Sequence, residues 1–145
     1  MSLIDRVGAV FLLRCDDGAA LLQLRDDKPG LRHAGQWVPP GGHAELEEEI
    51  DACARREFLE ETGYNCIHLH KLIELDYLEN GWPPYTLTIF WELYDSTQEL
   101  VCHEGQDLRF IGRYEINKYS IPDFLIPIWD SALEQSNTKG LLRNE

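Results

Sequence analysis

The sequence predicts an α/β domain on three grounds. Short runs rich in β-branched and aromatic residues recur between turn-forming clusters of Gly, Pro, Asn and Asp. One stretch, residues 47–62, contains neither Gly nor Pro and ends at Gly63, the pattern of a helix closed by a left-handed cap. A chain of 145 residues with 43% hydrophobic content can form one core that buries roughly two thirds of its unfolded surface. No repeat, low-complexity tract or linker divides it, so residues 1–145 are read as a single domain.

In chain order, residues 7–13 and 19–24 form a β-hairpin around Asp16-Asp17-Gly18, where glycine supplies a positive φ. Lys28-Pro29-Gly30 interrupts the chain after it, and Pro39-Pro40-Gly41-Gly42 makes a second loop leading into the helix at 47–62. Residues 67–75 and 87–94 read as strands, the second behind the turn residues Asn80-Gly81 and Pro83-Pro84. Residues 109–112 form a further short strand. A terminal helix lies within 120–136, regular only after Pro127 because Pro122 and Pro127 interrupt its hydrogen bonding. Residues 137–145 are expected to fray.

Charge narrows the partners. Thirteen basic residues against twenty-six acidic ones give a formal charge of -13, the wrong sign for holding a long nucleic-acid backbone. The apolar run 7–13 is far shorter than the ~20 residues of a membrane span, and it lacks a cleavage signal. The cysteines, Cys15, Cys53, Cys66 and Cys102, show no C-x-x-C pair, which points to a reducing cytoplasmic setting without a disulfide framework.

The acidic helix is more than a solvated face. At about 100° per residue, the stripe defined by Leu46, Ile50, Cys53 and Ala54 also carries Glu57, Glu60 and Glu61, while Asp51, Arg55 and Leu59 point away. Like charges at i, i+3 and i+4 repel one another when partly desolvated, and a divalent cation relieves that repulsion. Carboxylate oxygens are hard ligands suited to Mg²⁺ or Mn²⁺. Gly41-Gly42 ahead of the helix would let a ligand approach the backbone closely.

Gly42, Glu48 and Arg56-Glu57-Phe58-Leu59-Glu60-Glu61-Thr62-Gly63-Tyr64 together resemble a complete Nudix box, G-x5-E-x7-R-E-U-x-E-E-x-G-U with U apolar, at residues 42–64. The seven fixed letters coincide by chance on the order of once in 10⁸ start positions at average composition. The resemblance implies the Nudix fold, an α/β/α sandwich with a mixed β-sheet between helices. Tyr64 departs from the small aliphatic residue common at its position, a matter of local packing.

The resemblance further implies Glu57, Glu60 and Glu61 as metal ligands, with Gly41 as a backbone ligand, Arg56 orienting catalytic Glu57, and Glu48 pairing within the box. Glu104, in His103-Glu104-Gly105-Gln106, resembles the loop carboxylate of the MutT branch, another metal contact or proton acceptor. Arg25, closing the second strand, resembles that branch's phosphate-contacting arginine. Leu125 falls where the MutT branch reads a purine with Asn, so selectivity for 8-oxoguanine is not carried over. Among the aromatic residues Trp37, Tyr77, Trp82, Tyr85 and Trp91, Trp37 and Tyr77 are taken as candidates for stacking on a base. Cys66, His68 and His70 alternate as zinc ligands on one strand face would, but no fourth ligand is marked.

The implied activity is Mg²⁺-dependent hydrolysis of a phosphoanhydride in a nucleoside di- or triphosphate derivative, foremost a (d)NTP to NMP and pyrophosphate. A nucleotide-sugar or dinucleoside-polyphosphate hydrolase and a non-catalytic nucleotide-sensing module are the alternatives. A homodimer is compatible with the sequence.

Overall fold

A computed structural model describes residues 4–136. The reading of 137–145 as frayed lies outside the described residues. Among the described residues seven strands form one mixed sheet: β1 (Asp5–Leu13), β2 (Ala20–Leu24), β3 (Trp37–Val38), β4 (Gly41–His43), β5 (His70–Tyr77), β6 (Tyr85–Leu93) and β7 (Asp107–Ile111). The helices are α1 (Ile50–Thr62) and α2 (Leu125–Gln135), with a 3₁₀ segment at Arg113–Lys118.

Strand β1 organises the sheet. It runs parallel to β6 from Asp5↔Tyr85 to Leu13↔Leu93, while every other pairing is antiparallel. Side chains alternate across its pleat as a two-sided strand requires. Val10 and Leu12 pack with Phe58 and Ala54 of α1, whereas Ala9, Phe11 and Leu13 pack with Ile128, Trp129 and Leu133 of α2. The α/β/α sandwich follows directly. Gly8 brings the layers together, since a β-carbon there would press within 3.2 Å of the Ala54 side chain.

The β1–β2 hairpin splits soon after its turn, and this split makes the cleft. Gly18 supplies φ 69° in the turn, and β1 pairs with β2 at Leu13↔Ala20. Toward its start, β1 instead pairs with β4 at Val7↔His43, Gly8↔Gly42 and Ala9↔Gly41, while β2 pairs with β3 and, on its other edge, β7.

Four sequence expectations are corrected. Gly41 and Gly42 belong to strand β4 rather than to a loop opening the helix. Helix α1 begins at Ile50, not at residue 47, because Glu47 has φ 65° and Arg6 on β1 ties down the preceding turn by donating to the carbonyls of Glu48 (2.8 Å) and Glu45 (3.0 Å). Leu46 is therefore exposed and lies outside the helix's buried stripe. Helix α2 begins at Leu125, with Pro127 in its first turn, where the missing N–H would have had no intrahelical partner.

Gly63 caps α1 as expected, with φ 77° and its N–H donating to Leu59 O at 2.9 Å. Tyr64 is fully buried, edge-on to Phe58, and its hydroxyl accepts the Asp95 N–H at 3.0 Å. Truncating Phe58 to Ala would cost roughly 3–5 kcal/mol through lost burial and the remaining cavity. All four cysteines are free, two of them buried. Among the described residues no helix is long and apolar enough to cross a membrane.

Candidate active site

A cleft of about 520 Å³ opens over the start of β1, floored by Val7 and Ala9 with Leu87 and Ile89 of β6. Glu57 and Glu61 of α1 line it beside Gly41, Gly42 and His43 of β4. On the β6 side of β1 stand Trp82, Pro83 and Tyr85. Asp5, Arg25, Arg32, His33, Glu104, Phe124 and Leu125 are among the other residues of its walls.

The carboxylate side is held by Arg56. Its guanidinium donates to both Glu48 oxygens at 2.9 Å, to Glu57 Oε1 at 3.0 Å, to Glu60 Oε1 at 3.4 Å and to the His43 carbonyl at 3.2 Å. These bonds hold the Glu48 carboxyl at a pKa of about 2, with the Arg56 hydrogen bonds the largest cause and the Glu45 N–H the next. Gly42 is required by this packing, because a β-carbon there would collide with the Glu57 carboxylate.

Glu61 is only 4% exposed, and its Oε1 has no hydrogen-bond partner. Burial, and then the negative charges of Glu104 and Glu57, push its pKa up to about 8. Burial also raises Glu57, against the opposing pull of Arg56. Leaving a buried carboxylate oxygen unsatisfied costs energy that a proton or a cation would recover.

Helical phase predicts Glu60 on the inward stripe, but its side chain is 51% exposed and it is absent from the cleft lining. It sits at the end of the stripe, where the Arg56 bond draws it toward solvent. Among the described residues no three His, Cys, Asp or Glu side chains converge as a ready-made metal cage. The observed set of two inward carboxylates, with Glu104 near, nevertheless suits Mg²⁺, which retains waters and binds through one or two carboxylates plus substrate phosphates.

Glu104 is exposed at the cleft edge on a fastened loop. Gln23 Nε2 donates to its carbonyl at 3.0 Å, His103 N–H to Glu61 O at 3.0 Å, and Gln106 N–H to Leu24 O at 2.9 Å. Gln23 fastens the Glu104 loop and was not marked by the sequence, as a buried Gln within a strand carries no motif. Arg25 lines the cleft with its Nε buried and unpartnered.

The aromatic candidates separate. Trp37 is buried in the core, edge-on to Tyr119 at 5.6 Å, and does not line the cleft. Tyr77 stands behind the wall, stacked on Tyr85 at 5.2 Å. Trp82 and Tyr85, named with them, are the rings that reach the cleft. Period-two patterning could not distinguish these positions, because a cross-strand partner decides which ring is covered. Strand β5 begins at His70, whose ring stacks on Trp91 at 4.3 Å, and Cys66 is buried ahead of it. The alternating zinc spacing therefore does not lie on one strand.

The NUDIX domain family model matches residues 4–120, spanning the cleft's carboxylates and aromatic wall. The chain belongs to this family. A Danio rerio protein described as m7GpppN-mRNA hydrolase NUDT17 is 62% identical over 60 residues, covering 41% of this chain and 19% of that protein. Matches to the curated relatives span between 19% and 38% of their lengths. The Nudix fold is also that of a MutT protein from Methanosarcina mazei Go1, at TM-score 0.72 and 18% identity, covering 96% of this chain and 99% of that one. The NUDIX domain of Shewanella oneidensis NrtR, solved with ADP ribose, superposes at TM-score 0.77 and 15% identity over 93% of this chain and 90% of that one.

Proposed function

We propose that this Nudix domain hydrolyses a phosphoanhydride bond in a nucleoside diphosphate derivative, foremost a (d)NTP to NMP and pyrophosphate, with Mg²⁺ or Mn²⁺. The observation that carries this reading is the buried, unpartnered Glu61 oxygen beside Glu57 in a cleft whose other walls offer a guanidinium and aromatic rings. Glu57 and Glu61 would hold the ion, with Glu60 approaching from the rim and Gly41 supplying a backbone contact. A divalent ion there supplies charge neutralisation for the polyphosphate and acidity for the attacking water.

The chain's own residues divide the remaining work. Arg56 fixes the Glu57 carboxylate at the cleft wall by donating to its Oε1. Glu104 accepts the proton of the attacking water, and Gln23 sets the height of its loop. Arg25 contacts a phosphate through its unpartnered edge.

A second reading, hydrolysis of an m7GpppN end, is favoured by the name of the Danio rerio relative and its 62% identity over 60 residues. Both readings share a nucleoside diphosphate linked to a second group. A panel of (d)NTPs, nucleotide sugars, dinucleoside polyphosphates and capped dinucleotides, incubated with Mg²⁺ or Mn²⁺ and resolved by chromatography, separates them by product. Release of pyrophosphate from (d)NTPs, abolished by EDTA and restored by metal, is the expected outcome. Turnover in metal-free buffer contradicts the metal-dependent mechanism, and cleavage confined to the capped dinucleotide overturns the (d)NTP reading.

A further inference from the structure

Arg32 has an unusual setting for a residue in the β2–β3 loop. Its guanidinium carbon lies over three rings, 4.8 Å from the centroid of Tyr85, 4.9 Å from Trp82 and 5.6 Å from Tyr77. Nη2 donates to the Pro83 carbonyl at 2.6 Å and Nη1 to Glu79 Oε1 at 3.3 Å. The side chain is only 15% exposed. One residue thus ties its own loop to the turn between β5 and β6 and packs on two of the rings that line the cleft.

This arrangement has an electrostatic consequence. An aromatic face attracts a cation, and the faces turned toward Arg32 are already occupied by one. Arg25 lines the same cleft, and burial holds His33 toward its neutral form. Glu79 is the one carboxylate paired with Arg32 among the described residues, and it stands 42% exposed, so water screens its compensation. Of the carboxylates lining the cleft, Glu57 and Glu61 lie across β1 from these rings, and Asp5, the register partner of Tyr85, is 67% exposed, so water screens its charge as it does that of Glu79.

We propose that the Trp82–Tyr85 side of the cleft is a subsite for an uncharged nucleobase, and that Arg32 sets its specificity by disfavouring a cationic ring. The proposal rests on the nucleotide reading above. A neutral base stacks on the exposed ring surface without meeting like charge. A permanently positive ring, such as an N7-methylated guanine, forfeits the cation–π gain and is repelled by Arg32.

The test is calorimetric binding to the chain with Ca²⁺ in place of Mg²⁺ to slow turnover, in mildly acidic buffer where the methylated rings are cationic. Two matched pairs serve as probes: GTP with N7-methyl-GTP, and ATP with 1-methyl-ATP. The methylated member of each pair should bind at least about tenfold more weakly. Arg32→Gln, checked for folding by thermal melting, should narrow the gap to within about threefold, which separates charge from the bulk of the methyl group.

Equal or tighter binding of the methylated nucleotides by the wild-type chain overturns this specificity and leaves the hydrolase reading intact. A folded Arg32→Gln variant with the full gap overturns the role of Arg32. Absence of binding by all four nucleotides overturns both the subsite and the nucleotide reading. The wild-type comparison decides the subsite even where the variant fails to fold.

Discussion

The two sides of the cleft are held by different means. Across β4, Glu57 and Glu61 project from one helix, and Arg56 binds Glu48, Glu57, Glu60 and the His43 carbonyl at once. Across β6, Trp82 and Tyr85 are positioned by Arg32 from a separate loop and backed by Tyr77, which also meets His33 and Phe124. The first side is a compact charge network on regular structure. The second joins a loop residue, Arg32, to a turn residue, Trp82, and to the strand-end rings Tyr85 and Tyr77. Rigid placement suits the ion-holding role proposed for these carboxylates, whereas a wall that depends on a loop and a turn can vary without disturbing them.

That division predicts unequal effects. Glu57→Gln and Glu61→Gln should each lower kcat at least ~100-fold with the fold retained, since an amide keeps the shape and removes the charge. Steady-state kinetics with circular dichroism checks this, and near wild-type rates in both variants would make the carboxylate side merely structural. Glu104→Gln should lower kcat by about tenfold while changing Mn²⁺ affinity less, through loss of proton acceptance. An unchanged kcat would return Glu104 to the solvated surface.

On the aromatic side, Trp82→Leu should raise KM roughly fivefold with kcat nearly unchanged, because it removes stacking that ground state and transition state share. A fall in kcat with constant KM would erase the distinction between the two sides.

The helix carboxylates, the cap at Gly63 and the hairpin turn at Gly18 were legible because each is a local pattern. Glu60 and Leu46 show where local phase fails. Periodicity assumes that the helix extends through residue 46 and that every residue on the stripe is covered, yet Arg6 and Glu47 delay its start and Arg56 draws Glu60 outward. Arg32 and Gln23 escaped notice because their roles come from partners 47 to 81 residues away. Trp37 and Tyr77 were misplaced for the same reason. Ring type and spacing were visible, but the strand or loop covering each ring was not. The loop carrying Glu104 could be recognised by its sequence, though its fastening to β2 and α1 could not.

The smallest expected effect concerns stability without metal. Burial above all pushes the Glu61 pKa up to about 8 in the folded chain, from an ordinary glutamate value of 4.5. The unfolded chain therefore binds fewer protons than the folded one between these values, and stability is full at acidic pH and falls as pH rises toward the folded value. Thermal melting in EDTA should show the decline, a loss of about 3 °C or more between the two ends of that range, and Glu61→Gln should flatten it. A wild-type melting temperature that rises with pH over this interval would contradict the buried-carboxylate account.

The central claim of the proposed mechanism is that Glu57 and Glu61 hold a divalent ion. Mn²⁺ titration followed by electron paramagnetic resonance, on the nucleotide-free wild-type chain and on Glu61→Gln, tests it most directly. The account predicts a saturable site in the wild type and at least about tenfold weaker binding in the variant, the expected effect of removing one charged ligand. Equal affinity in the two proteins would contradict it.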